Sequence, residues 1–351
     1  MHTTQQIIDK AAELGYERCG IIAVDKLKGY GDKVRERVAR FPEMAPFAER
    51  FMTFADPTGK LPWAKSLVVC SRRYGVYRTS ADLEGVIGKY YQVDERRNEM
   101  SEGFRCNAAF ERFLVDELGL QVFPNRDAFL APYRWAAIEA GLGTVRKNNF
   151  FYGDHGSYYY LNCFFIDADL EYIHAPAYRP CPPSCNLCAK NCPTGALAGP
   201  YAMNMAVCVT HLNTRNYGTP AYEKNRGKLG RWIYGCDACQ DACPFNRDQW
   251  TNTKTFPELD EVERLVSPEK ILEMDYGTLK TFVVPKFWYM GPDEAWKWKG
   301  NALNALANDF GPRLVPAIRR AAENDGRGEI REAARRLLER IETLQPPTRN
   351  A

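Results

Sequence analysis

The chain has 351 residues, 47 of them Lys or Arg against 44 Asp or Glu, with 45% hydrophobic content. That is enough apolar material for a large core plus smaller modules, while a net charge of +3 does not by itself mark a nucleic-acid binder. No window is apolar over the length a membrane span needs, and Met1-His2-Thr3-Thr4-Gln5-Gln6 has neither a basic flank ahead of an apolar core nor a twin arginine, so a cytoplasmic protein without membrane contact is expected.

Residues 4–14 pattern as an amphipathic helix with Ile7, Ile8, Ala11 and Leu14 on one face, stopped by Gly15 and followed by a strand over 19–24. A second strand fits 66–70, and a long helix fits 96–118, where Phe104, Ala108, Phe113 and Leu114 fall at helical spacing before Gly119. Residues 120–123 resume as strand, 132–140 read as a helix ended by Gly141-Leu142-Gly143, and 157–167 as a further strand. An α/β (α+β) domain over residues 1–175 is therefore expected. From Pro180 the texture turns to proline, glycine and cysteine, which suits a small domain over 176–250 ordered by metal rather than by a large apolar core. Residues 251–351 read as a linker and a helical segment, with helices over 301–309, 314–323 and 330–344 that resemble one or two HEAT repeats or an ordinary helical cap.

Eight of the 12 cysteines lie between residues 181 and 243 at short, regular spacings, which argues for metal rather than disulfides. The other four, Cys19, Cys70, Cys106 and Cys163, read as small buried hydrophobes, Cys106 being the one whose surroundings say least. The first motif is Cys181-Pro182-Pro183-Ser184-Cys185-Asn186-Leu187-Cys188-Ala189-Lys190-Asn191-Cys192-Pro193, and the second is Cys236-Asp237-Ala238-Cys239-Gln240-Asp241-Ala242-Cys243-Pro244. Each ends in Cys-Pro. A cubane needs four thiolates converging from different directions and a tight loop supplies three, so the cysteine before the proline reaches to the partner cluster. The expected sets are Cys181, Cys185, Cys188 and Cys243 on one 4Fe-4S cluster, and Cys192, Cys208, Cys236 and Cys239 on the other. Three residues separate Cys181 from Cys185 where the bacterial ferredoxin run has two, which enlarges the loop without removing a ligand. Structural zinc is the competing use of paired C-x-x-C motifs, but zinc closes with four local ligands and has no need of two Cys-Pro tails.

Two adjacent clusters pass electrons one at a time, and the large aromatic-rich domain ahead of them is more than a carrier requires, so a reaction centre is expected there. No Rossmann glycine fingerprint or Walker loop is present, so nicotinamide, flavin in that fold and nucleoside triphosphate are unsupported.

Tyr234-Gly235-Cys236-Asp237-Ala238-Cys239-Gln240, followed by Cys243-Pro244-Phe245-Asn246, resembles the Tyr-Gly-Cys-Asp-x-Cys-Gln and Cys-Pro-Trp-Asn of the epoxyqueuosine reductases, cobalamin-dependent iron-sulfur enzymes related to the reductive dehalogenases. In the first domain Asp127, Ala140-Gly141-Leu142-Gly143, Lys147-Asn148 and Gly156-Ser157-Tyr158-Tyr159-Tyr160-Leu161 are similar to the family's aspartate, Ala-Gly-Leu-Gly-Trp-Ile-Gly-Lys-Asn and Gly-Ser-aromatic-aromatic-Leu. The resemblance covers most of the chain. It implies that the clusters reduce a corrinoid in the first domain, which drives removal of the epoxide oxygen from a nucleoside in a tRNA anticodon loop. It further implies Asp127 as the general acid, kept protonated by burial, and corrinoid contacts from Gly143, Lys147, Asn148, Gly156 and Ser157. Without the resemblance, Asp127 would read as a helix N-cap before Pro132 and the others as turn residues. The departures are Tyr90-Tyr91-Gln92-Val93-Asp94 where the family has Arg-Asp-Tyr-His, and Thr144-Val145-Arg146 where it has Trp-Ile-Gly.

Three functions compete. The first is reduction of epoxyqueuosine in tRNA, with Arg313, Arg319, Arg320, Arg327, Arg335 and Arg336 either facing phosphates or, alternating with glutamates, forming a solvated helix face. The second is a paralogous corrinoid reductase of a small molecule, including reductive dehalogenation. The third is an electron-transfer protein without corrinoid. An electron donor such as ferredoxin or flavodoxin is implied for the enzymes, and a monomer is expected.

Overall fold

Leu67, Val68, Val69 and Cys70 form an unbroken apolar run, the pattern of a strand covered on both faces. The computed structural model describes residues 2–96, 98–175, 178–287, 289–309 and 311–344. In it that run lies inside a four-stranded sheet ordered β1 (Arg18–Ala23), β2 (Ser66–Arg73), β6 (Tyr159–Ile166) and β3 (Val122–Pro124), with every pairing antiparallel. Because side chains alternate along a strand, the run divides between two cores. Val68 and Cys70 join Cys19, Ile21, Phe164 and Ile166 beneath α1 (His2–Glu13) and α2 (Glu102–Arg112), through Ile7, Ala11 and Phe110. Leu67 and Val69 join Ile22, Cys163 and Phe165 against Ala136 and Ala137 of α3 (Tyr133–Glu139). Burying each Val, Leu, Ile or Phe among them stabilises the fold by about 1.5–3 kcal/mol.

Cys19, Cys70 and Cys163 are core residues here, as small hydrophobes, and burial pushes the Cys70 and Cys163 thiols well up. The helix expected over 96–118 begins later, at Glu102, because Ser101 Oγ caps it by accepting from the Phe104 N–H at 3.2 Å. Its end widens into a π-helical turn at Phe113–Glu117.

The chain divides into two compact units, one formed by residues 1–78, 95–205 and 238–257, the other by 79–94, 206–237 and 258–351. These are not the serial segments 1–175, 176–250 and 251–351 expected from texture, and residues 176, 177 and 345–351 lie outside the described residues. Residues 181–205 and 238–257 of the cysteine-rich stretch belong with the sheet, and 206–237, which carry a small apolar cluster of Val209, Leu212, Tyr222 and Leu229, belong with the helices.

The second unit is helical. Its core centres on Trp298, whose ring stacks on that of Tyr234 at 4.9 Å between centroids and 5° between planes. Trp298 belongs to α5 (Trp296–Asn308), which shares its core with α4 (Pro268–Glu273), α6 (Val315–Asn324) and α7 (Gly328–Leu344). Ile330, Ala334, Leu337 and Ile341 form the buried stripe of α7 at helical spacing. The start of 251–351, expected as linker, instead holds helices over 259–265, 268–273 and 276–286. The signal was present in Ser267-Pro268: Ser267 Oγ accepts from the Lys270 N–H at 3.2 Å and Pro268 takes the first helical position.

Candidate metal centre and its supports

A short hairpin, β4 (Thr144–Val145) paired with β5 (Phe151–Tyr152), projects residues 146–150 as its loop. Asn149 turns the chain at φ +63°, and Asn148 Oδ1 accepts from the Phe150 N–H at 3.2 Å, an Asx-type closure. The hairpin thereby presents Arg146, Lys147 and Asn148, all of them buried.

These three residues share a recess with Cys181, Cys185, Cys188 and Cys243, whose empty volume is ≈ 310 Å³. The thiols come from two separate stretches of sequence, Cys188 from the helical turn Leu187–Lys190 and Cys243 from just past the turn Ala238–Asp241. Four thiols set around the wall of a recess suit a cluster in which each iron takes its own thiolate.

Lys147 spends its three Nζ donors on backbone carbonyls of the first cysteine loop, Pro182 at 2.8 Å, Pro183 at 2.8 Å and Cys185 at 2.9 Å. Asn148 Nδ2 donates to Cys239 O at 3.1 Å and to Tyr152 Oη at 2.8 Å. Tyr152 is buried beside Cys243, and burial first, then that thiol, pushes its phenol well up, so it stays a hydrogen-bond donor.

The second cysteine loop is tied from the other side. Asn246 Oδ1 accepts from the Ser157 N–H at 2.8 Å, while its Nδ2 donates to Ser157 Oγ at 2.9 Å and to Gln240 O at 2.8 Å. Gln240 Nε2 also donates to Ser157 Oγ at 2.8 Å. Gly156, at φ +76°, admits this approach, since a Cβ there would stand 2.6 Å from Asn246 Oδ1. A Cβ at Gly143 would stand 2.3 Å from Tyr152 O across the hairpin. Of the five residues expected on a corrinoid, Lys147, Asn148 and Ser157 thus hydrogen-bond within the hairpin and the cysteine loops, and Gly143 and Gly156 allow close backbone approach there. Asn246 and Gln240 lay inside the quoted motifs, yet an amide beside a cysteine gives no sign in sequence of which loop it will tie.

Of the second expected set, Cys192 and Cys239 lie in the sheet unit and Cys208 and Cys236 in the helical unit. Within the helical unit, Cys208 precedes the helix Val209–Thr214. Asn213 of that helix exchanges two hydrogen bonds with Gly235, donating to its carbonyl at 3.0 Å and accepting from its N–H at 3.2 Å, which holds the residue before Cys236. Asn301 of α5 secures this clamp by donating to Asn213 O at 2.6 Å and Ile233 O at 3.1 Å.

Asp127 ends a short helical turn, Asn125–Asp127, and is exposed, its Oδ1 lying 3.7 Å from Arg126 Nε. The burial expected of it is absent, and it does not cap α3, whose N-cap is Pro132. The residue that shapes this loop is Asn125, fully buried, with Oδ1 accepting from Leu130 N–H at 2.6 Å and Ala131 N–H at 2.8 Å and Nδ2 donating to Ala131 O at 3.0 Å. Cys106 lies 3.6 Å from Arg72 Nη1, beside a buried ion pair of Arg72 with Glu95 at 3.3 Å, outside the recess. Gln92 at the divergent Tyr90–Asp94 stretch donates to Ile87 O at 2.8 Å and accepts from Ser80 N–H at 3.2 Å, and Tyr91 packs edge-on to Tyr234. Of the tail arginines, Arg313, Arg320, Arg335 and Arg336 pair with glutamates, in keeping with a solvated helix face.

A sheet domain carrying a four-thiol recess points to an iron-sulfur protein, and residues 181–246 match the family model of a 4Fe-4S double cluster binding domain. A curated relative from Leadbetterella byssophila, an epoxyqueuosine reductase, is 30% identical over 274 residues, covering 74% of this chain and 88% of the relative. The chain belongs to the epoxyqueuosine reductase family. The fold agrees: a crystal structure of selenomethionine-labelled epoxyqueuosine reductase superposes with a TM-score of 0.81 at 22% identity, covering 97% of this chain and 90% of that one. A second, epoxyqueuosine reductase with an epoxyqueuosine-modified tRNA-Tyr stem loop, gives 0.79 at 21% identity over 99% and 95%.

Proposed function

We propose that the chain reduces epoxyqueuosine in tRNA, drawing electrons through two 4Fe-4S clusters. The observation that supports this most directly is the recess walled by Cys181, Cys185, Cys188 and Cys243 in a chain of this family. The donor set fits a cubane: four soft ligands on two segments, beside a guanidinium that has no carboxylate partner among the described residues. The second cluster is assigned to Cys192, Cys208, Cys236 and Cys239 from the sequence pattern.

Removing an epoxide oxygen as water consumes two electrons and two protons. The clusters, when bound, supply the electrons one at a time. Asp127 is assigned the delivery of a proton to the leaving oxygen, a role its exposed carboxyl is free to reach from the loop. Cobalamin is proposed from the family resemblance alone, because Lys147, Asn148 and Ser157 are engaged by the cysteine loops and fit cluster support rather than direct corrinoid contact. A HEAT-like role for α6 and α7 in holding RNA, and a ferredoxin or flavodoxin as donor, belong to the same proposal.

The test is anaerobic protein carrying about eight iron and eight sulfide per chain, retaining cobalamin through gel filtration, and turning over epoxyqueuosine-containing tRNA. Zinc in place of iron would overturn the electron route. Absence of tRNA binding at low salt, where phosphate contacts are strongest, would instead favour a small-molecule substrate, the alternative that the divergent Tyr90–Asp94 stretch keeps open.

A further inference from the structure

Arg146 stands where the family has glycine, and neither the cysteine motif nor the resemblance accounts for it. Its guanidinium is buried, the residue being 6% exposed. Nη1 lies 3.9 Å from Cys181 Sγ, and Cζ lies 3.3 Å from the centroid of the Phe245 ring and 5.1 Å from that of Tyr152. Nε has no hydrogen-bond partner, and no carboxylate among the described residues pairs with the group. A buried cation without a counter-charge is strongly unfavourable, and two aromatic faces offset only part of that. The recess therefore calls for an anion. Lys147 cannot serve as the donor to it, since its N–H groups are taken by Pro182, Pro183 and Cys185 carbonyls.

We propose that Arg146 is the counter-ion of the cluster held by Cys181, Cys185, Cys188 and Cys243, donating toward Cys181 Sγ and raising that cluster's reduction potential. This rests on the cubane assignment above. A cubane on four thiolates is anionic in both oxidation states and gains one more negative charge on reduction, so a fixed cation favours the reduced form. Buried Tyr152 excludes water on one side of the guanidinium and half-exposed Phe245 covers another, which reduces screening and strengthens the attraction. Arg146 is thus a positioning residue for an electron rather than for substrate.

The test is a redox titration followed by electron paramagnetic resonance on protein with a full complement of iron and sulfide. In Arg146→Gln one of the two midpoint potentials should fall while the other stays, and in Arg146→Lys the same midpoint should fall by less. Two unmoved midpoints, or two that fall together, would overturn the proposal. Should Arg146→Gln assemble fewer clusters, wild-type protein grown on arginine labelled with ¹⁵N in the guanidinium carries the test. Pulsed measurements should then show an arginine nitrogen coupled to one reduced cluster, and its absence counts against the proposal. A wild-type protein without cubanes would refute the assignment beneath it, a failure read from metal content alone.

Discussion

Lys147 shows how much one side chain can settle. Its three donors prop the Cys-Pro-Pro-Ser-Cys loop by drawing the Pro182, Pro183 and Cys185 carbonyls onto one ammonium. Lys147→Met keeps the stem but removes the charged donor from the loop, at about 1.5–3 kcal/mol for a hydrogen bond to a charged group. Iron content is predicted to drop toward that of a single cubane, and unchanged iron with an unchanged rate of loss to a chelator would contradict the role. Asn125→Ala should cost about 1–3 kcal/mol by denaturant unfolding, since it removes the acceptor for Leu130 and Ala131; a change within error would place the support elsewhere. At this scale the thiols were legible because metal chemistry constrains their spacing, and Arg146 was visible as a departure. Asn125, Asn213 and Asn301 were not, because an asparagine that ties distant backbone looks in sequence like one that makes a turn.

At the scale of elements, the strands and terminal helices were legible where apolar spacing was regular, and Leu67 to Cys70 even announced burial on both faces. The helices over 259–286 were not, since they are short and their burial is decided by partners far along the chain. The turn between α6 and α7 is fixed by Asp325, which accepts from Lys299 Nζ of α5 at 2.8 Å, Tyr276 Oη at 2.7 Å and Arg327 N–H at 2.9 Å. Burial alone would push the Asp325 carboxyl up, but the Lys299 bond and these other donors outweigh it and hold the carboxyl below its ordinary range. A depressed carboxyl contributes stability that is full above the unfolded pKa, about 3.9, and is lost as pH falls through the lower folded value. Asp325→Asn should therefore melt well below wild type at pH 7, and the gap should narrow below about pH 4; a constant gap would mean the charge contributes nothing.

Across the whole molecule, the sheet and helical cores rest on apolar burial while the cysteine loops have little of it. Removing iron with a chelator is predicted to leave helix and sheet circular dichroism nearly intact while opening residues 181–192 and 236–247 to proteolysis. Simultaneous loss of all structure would show instead that metal holds both cores. The discontinuous units were invisible to a reading by texture, which follows the chain while the cores do not. One wall of the recess also bears on biosynthesis. Cys243 leaves the ribosome long after Cys181, Cys185 and Cys188, so the nascent chain displays an incomplete trio of soft ligands for the whole interval. That is the stage at which stray zinc or copper competes best, and a four-thiolate site can close only once Cys243 has been made.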